Sequence, residues 1–243
     1  MQPLEQGRRP PALSATDKIA ALKILAQKRR EAPAGTREHG YSRNYRHIEE
    51  FHGGFYDVHP WMSPWTASAC NVDSDLMVIG QDWASEDFLM KPPDALHRDL
   101  GQNPDLHTNK MAKRLLREAF ARDFEDVFAT NAFAFVKPGN MSTRLPRVDL
   151  ARSSATYTLQ EIRIVRPKMA ICLGGAAYNS LRRALKHSYQ AIRRANYEAP
   201  EVVLEGTEIY GVPHTGALGL NNSGGYPASL AIWQKLAGRL ARL

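Results

Sequence analysis

Across its 243 residues the chain has only two cysteines, Cys70 and Cys172. Two thiols cannot build a disulfide framework, and two thiolates cannot complete a four-cysteine zinc or iron–sulfur site. The expected compartment is a reducing cytoplasm, with nucleoid association if the source is bacterial. No apolar run approaches the roughly 20 residues a membrane span needs, so no membrane partner is expected. The opening segment, MQPLEQGRRPPALSATDK, lacks an apolar core, so no secretory signal is expected. Walker A, GxGxxG, HExxH and GxSxG sequences are all missing, which leaves phosphate-loop, dinucleotide, zincin and serine-hydrolase chemistry unsupported. There is no internal repeat and no long low-complexity stretch.

What is present is a globular composition, 43% hydrophobic and 23% charged, with a formal charge of +7. That charge is unevenly spread. Residues 137–194 hold 12 basic and 2 acidic side chains, net +10, and nine of the twelve cations are arginines. Residues 71–136 hold 7 basic and 12 acidic, net −5. Arginine forks onto phosphate oxygens, so the basic stretch points to a polyanion such as nucleic acid. The alternative is a solvated basic surface with no partner.

The spacing predicts an amphipathic helix over Thr16–Arg30, with Ile19, Leu22 and Leu25 on one stripe, after polar residues 1–13 and before a stop at Pro33-Ala34-Gly35. Residues 36–72, rich in Gly, Pro, His and aromatics, read as an irregular wrap in which Trp61 and Trp65 pack. A regular alternation then begins. Strands are predicted at Asp75–Gly80, Asp126–Asn131, Met169–Gly174 and Glu208–His214. Helices are predicted at Lys110–Ala121, Asp149–Val165, Gly175–Lys186 and Tyr226–Leu243, the last with Leu230, Trp233, Leu236 and Leu240 on one stripe. This order predicts an α/β fold with three α/β/α layers around a four-stranded parallel sheet. The chain divides at residue 72 into an N-terminal extension (1–72) and an α/β domain (73–243).

Ligands of such sheets bind beyond the carboxyl ends of the strands. There the sequence places Gly80-Gln81-Asp82-Trp83, Thr130-Asn131-Ala132-Phe133, Gly174-Gly175 and Pro213-His214-Thr215-Gly216. A carboxylate, a carboxamide and an imidazole would converge on one rim, and the paired glycines would admit close backbone approach. Each has a plainer alternative: Asp82 as a helix or turn cap, Asn131 as a backbone bridge, His214 as a structural histidine.

These residues resemble the uracil-DNA glycosylase superfamily. Its best-known branch carries GQDPYH, a strand-end Asn in an LLLNAVLTV-like segment, and HPSPLS. The matching segments here are Gly80-Gln81-Asp82, Thr130-Asn131-Ala132-Phe133 and His214-Thr215-Gly216-Ala217-Leu218. The order Thr130-Asn131, Lys137-Pro138-Gly139-Asn140, Arg166-Pro167-Lys168 and Leu173-Gly174-Gly175-Ala176 is similar to the thermophilic iron–sulfur branch. The resemblance covers roughly residues 73–240. The departures are specific: Trp83-Ala84-Ser85 replaces Pro-Tyr-His, the second motif lacks its Pro and Ser, and the cluster cysteines are missing.

The resemblance implies a monomeric DNA-repair glycosylase. It would flip a deaminated base from single- or double-stranded DNA and leave an abasic site. No metal or organic cofactor is implied. Asp82 and His214 would be catalytic, and Gln81, Asn131, Phe88 and Trp83 would contact the base. Phe133 competes with Phe88 as the stacking ring. Leu218, with Leu220 as alternate, would wedge into the gap. Lys137, Arg144, Arg147, Gly174, Gly175 and Thr215 would contact the DNA, the Lys and Arg through its phosphates. Two other readings stay open: a non-catalytic nucleic-acid-binding member of the same fold, and a nucleoside or nucleotide hydrolase.

Overall fold

The computed structural model describes residues 13–31, 35–57 and 60–243. The readings of residues 1–13 (up to 12) and of Pro33-Ala34 as a helix stop lie outside the described residues. Helix α1 (Ala15–Arg30) opens on a Ser14 cap whose side chain accepts from the Asp17 amide. It buries Leu22, Leu25, Ala26 and Arg29, a stripe at helical spacing. The described residues between 36 and 72 include short 3₁₀ turns, the last at Pro64–Ser68.

The sheet has five strands in the order β2-β1-β3-β5-β4. They are β1 (Leu76–Gly80), β2 (Phe128–Asn131), β3 (Met169–Leu173), β4 (Val202–Leu204) and β5 (Thr207–Val212). The four expected strands are parallel, as their unbroken apolar runs require of strands covered on both faces. The fifth, β4, corrects the expected count. It pairs antiparallel with β5 across a two-residue turn, Glu205-Gly206, in which both residues have positive φ. That is a hairpin geometry matched to strand twist, and its short edge strand leaves Val203 exposed.

Alternate strand residues face opposite layers. Leu76, Val78, Ile171 and Val212 pack under α4 (His107–Phe120) and α9 (Gly225–Leu240), with Trp233 and Leu236 at the centre. Met77, Ile79, Ala170 and Cys172 face α1, α6 (Leu159–Val165) and α7 (Gly175–Ala184). The segment expected as one helix from Asp149 is α5 (Arg147–Ser153), a wide π turn over Ser154–Thr158, and α6. The widened turn and the last residue of α5 aim hydroxyls at the end of β2 and the chain leaving it. Thr158 donates to the Asn131 carbonyl at 3.3 Å, and Ser153 Oγ accepts from the Ala134 amide at 3.0 Å. Two short helices, α2 (Glu86–Leu89) and α3 (Ala95–Asp99), lie between β1 and α4, and α8 (Ala217–Asn222) precedes α9.

Residues 41–45 pack onto this body. Tyr41, Tyr45, Phe133, Phe135 and Tyr157 form one edge-to-face aromatic cluster. Buried Asp149 accepts from the Ser42 amide at 2.9 Å and from the Ser42 and Tyr45 hydroxyls. Within the segment before β1, Arg29 and Arg30 of α1 pair with Glu49 and Asp57. Among the described residues, no helix is long and apolar enough to cross a membrane.

Candidate active site

A cavity of about 450 Å³ opens at the carboxyl ends of the parallel strands. Its walls include Gln81 and Asp82 after β1, Asn131 at the end of β2, Leu173 at the end of β3 and His214 after β5. The fold therefore brings the carboxylate, the carboxamide and the imidazole to one space. Gly80 makes this possible, because a Cβ there would stand 2.4 Å from Asn131 Oδ1.

Asn131 is buried, and its Nδ2 donates to Ser63 Oγ at 2.7 Å. One amide hydrogen is thus committed, leaving the other hydrogen and Oδ1. Ser63 caps the 3₁₀ turn that carries Trp65, and Trp65 lines the same cavity.

Asp82 is held on both oxygens. Lys137 Nζ lies 3.1 Å from Oδ1, and Gln81 Nε2 donates to Oδ2 at 2.5 Å. The two charged side chains are only 3% and 4% exposed. Lys137 Nζ also donates to the Met141 carbonyl at 2.7 Å. This corrects its expected place among the surface phosphate cations. A parallel bridge between Ser85 and Lys137 draws the segment after β2 against the segment after β1, so the lysine turns inward.

His214 borders an open cavity, so by accessible surface it is an exposed residue. Protein packed around the ring still desolvates it, and its pKa is lowered from the usual histidine value. Burial is the main cause. Lys137 pushes the same way and Asp82 opposes. The ring accepts the Gly216 amide on Nδ1 at 3.0 Å, so the neutral ring carries its proton on Nε2. Glycines crowd this residue: a Cβ at Gly219 would meet the His214 carbonyl at 2.2 Å, and one at Gly174, where φ is +89°, would meet His214 Cβ at 3.2 Å.

Trp83 and Phe88 both line the cavity. Trp83 donates Nε1–H to the Gly101 carbonyl at 2.7 Å and meets Phe88 edge-on. Phe88 lies nearly parallel to His97, with centroids 6.0 Å apart. Phe133 is buried in the aromatic cluster instead. Thr215, expected to contact DNA, is fully buried and donates its hydroxyl to the Thr108 carbonyl at 3.0 Å instead. Leu220 is likewise buried and unfit as a wedge, whereas Leu218, in the first turn of α8, is 75% exposed. Arg144, Arg147 and Gly175 lie around a second, adjoining cavity that also includes Gln81.

Sequence reasoning missed Ser63 and the wall supplied by residues 91–109, including Lys91, His97, Gln102 and Asn109. The strand-end rule reaches only residues next to strands. The long polar connection from β1 to α4 was the available signal, since a connection of that length must fold over the rim.

A family model described as the uracil DNA glycosylase superfamily matches residues 67–237. This chain belongs to that superfamily. Membership supports a DNA glycosylase, a hydrolase of the N-glycosyl bond in base-excision repair, as the general class. A search of curated proteins finds no match.

Proposed function

We propose that this protein removes uracil, or a related deaminated base, from DNA by flipping the nucleotide into the 450 Å³ cavity and hydrolysing its glycosidic bond. The observation that carries this reading is the convergence of Asp82 beside Lys137, an Asn131 with a donor and an acceptor unpaired among the described residues, and a neutral His214 with its proton on Nε2.

Bond cleavage builds positive charge on the sugar and negative charge on the departing base. Asp82, fixed on both oxygens, presents a negative charge to the sugar and orients the attacking water. His214 donates Nε2–H to the base oxygen next to the breaking bond, where the leaving charge collects. A neutral donor suits that role because it stabilises the oxyanion without surrendering a proton to solvent. The free N–H and Oδ1 of Asn131 match the adjacent carbonyl and ring N–H of uracil. Cytosine presents the reverse pattern and leaves both groups unpaired. Hypoxanthine and xanthine also carry a carbonyl beside a ring N–H, so Asn131 accepts deaminated bases as a class. Phe88 supplies the stacking face, and Trp83 closes the cavity beside it. Leu218 fills the space left in the base stack.

The test is an assay with purified protein on oligonucleotides carrying uracil, hypoxanthine or xanthine. Release of one of these bases, leaving an alkali-labile abasic site, is expected. Intact strands across the whole panel would overturn the proposal.

A further inference from the structure

A second cavity of about 630 Å³ adjoins the first, and the two share Gln81 and Met141 as a common ridge. Its walls come from the loop entering α5, the first turn of α7, and the turn that follows α7. Among the described residues no carboxylate lines it. Arg144, Arg147 and Arg183 all do, each with its side chain exposed and none in an ion pair among the described residues. By contrast Arg182, one residue from Arg183, is buried and paired with Glu201. The amino end of the ten-residue α7 adds its partial positive charge at Gly175.

The cavity also carries an aromatic face. Tyr189 is 62% exposed, and the Arg147 guanidinium sits 5.1 Å from its ring centre. The turn bearing Tyr189 is fastened in place. Asn179 donates to the Gly175 and Gln190 carbonyls and accepts from the Gln190 amide, each at 2.8 Å. These bonds hold the residue next to Tyr189 against the first turns of α7.

Taking the first cavity as the seat of the flipped base, we infer that the second cavity binds the neighbouring nucleotide of the same strand. Its phosphate would lie against Arg144 and Arg183, and its base would stack on Tyr189. A grip on phosphate alone needs neither this volume nor an exposed ring. A paired neighbour would stay stacked in its duplex and could not enter. The substrate class is therefore unpaired DNA, read as two consecutive nucleotides across the ridge of Gln81 and Met141.

The test measures binding, so it stands apart from catalysis. Fluorescent single strands carry a non-cleavable 2′-fluoro-arabino-uridine, with the nucleotide on its 5′ or 3′ side either normal or reduced to a base-free spacer that keeps its phosphate. Removing the neighbouring base on one side should weaken binding about tenfold, the scale of one stacked base. Tyr189→Ala should bring the normal strand to the spacer's affinity and leave the spacer strand unchanged, and Tyr189→Trp should restore the difference. Arg183→Ala should weaken both strands alike and flatten the salt dependence. Equal affinity for normal and spacer strands on both sides would overturn the inference. So would equal losses from Tyr189→Ala on both strands, or a duplex bound as tightly as the single strand. Thymidine monophosphate that binds through Tyr189 while the strands ignore their neighbouring base would place a free nucleotide there instead. Replacing the uracil itself by a spacer probes the first cavity separately. Binding without base release would sink the glycosylase reading and leave this one intact.

Discussion

Ser63 Oγ accepts a hydrogen bond from Asn131 Nδ2 at 2.7 Å, so a residue outside the family-matched segment orients the carboxamide at the end of β2. Without it the buried amide loses a partner and is free to turn over. Ser63→Ala should lower kcat/KM for uracil about tenfold, in line with about 1–3 kcal/mol for an unsatisfied buried group. It should also narrow the preference for uracil over cytosine. Ser63→Thr, which keeps the hydroxyl, should recover most of both. Unchanged selectivity in Ser63→Ala would leave the serine only its role as a turn cap.

Asp82→Asn separates chemistry from binding. Turnover on a uracil-containing single strand should fall by about 10²–10³, the scale of losing one preorganised electrostatic contact. The dissociation constant for uncleavable DNA should change less than about threefold. Matching losses in both would make Asp82 a structural residue.

The Asp82 and Lys137 side chains are largely buried, so removing one partner strands the other's charge. Lys137→Met should cost about 3–5 kcal/mol of stability in chemical denaturation. The double variant Asp82→Asn, Lys137→Met should recover a good part of that loss. Additive losses would mean that the two side chains do not act as a pair.

His214 should titrate below the usual histidine range, since burial and the Lys137 charge both oppose its protonation. The neutral form then holds at pH 7, and the rate should not drop as pH is lowered from 8 to 6.5. Nitrogen NMR of labelled histidine should show the proton on Nε2. A ring that titrates above 6.5, or that carries its proton on Nδ1, would contradict the leaving-group role.

Glu161 is fully buried beneath β2, and Thr130 Oγ1 donates to it at 2.8 Å. Burial pushes its pKa from 4.5 up to about 8, with the Thr130 hydrogen bond opposing. The folded state thus holds a proton that the unfolded chain releases above 4.5. Glu161's contribution to stability is full below 4.5 and is lost as pH rises through about 8. Relative to Glu161→Gln, the wild type should lose about 1.4 kcal/mol per pH unit across that window. A constant difference between pH 5 and pH 9 would show that the carboxyl is already ionised in the fold.

Much of the scaffold was legible because parallel strands buried on both faces leave unbroken apolar runs, as in Leu76–Gly80 and Met169–Leu173. β4 escaped notice because three residues, Val202–Leu204, carry too little pattern, and their turn uses Glu205 rather than Asn or Asp before Gly206. The strand-end rule located Asp82, Asn131 and His214, each adjacent to a strand. It misassigned Lys137 because a positive charge in a basic stretch looks the same in sequence whether it faces water or a carboxylate.

The sequence by itself determined the layered fold, the identity of the three rim residues and the absence of cluster cysteines, because these follow from local periodicity and composition. The tertiary structure alone decided which distant partners those residues keep: Lys137 on Asp82 and Ser63 on Asn131. It also decided that Arg144, Arg147 and Arg183 share one cavity with Tyr189. The reason is physical. Ion pairs, hydrogen bonds and cavities depend on distances of a few ångströms between segments far apart in the chain, and no local pattern encodes them.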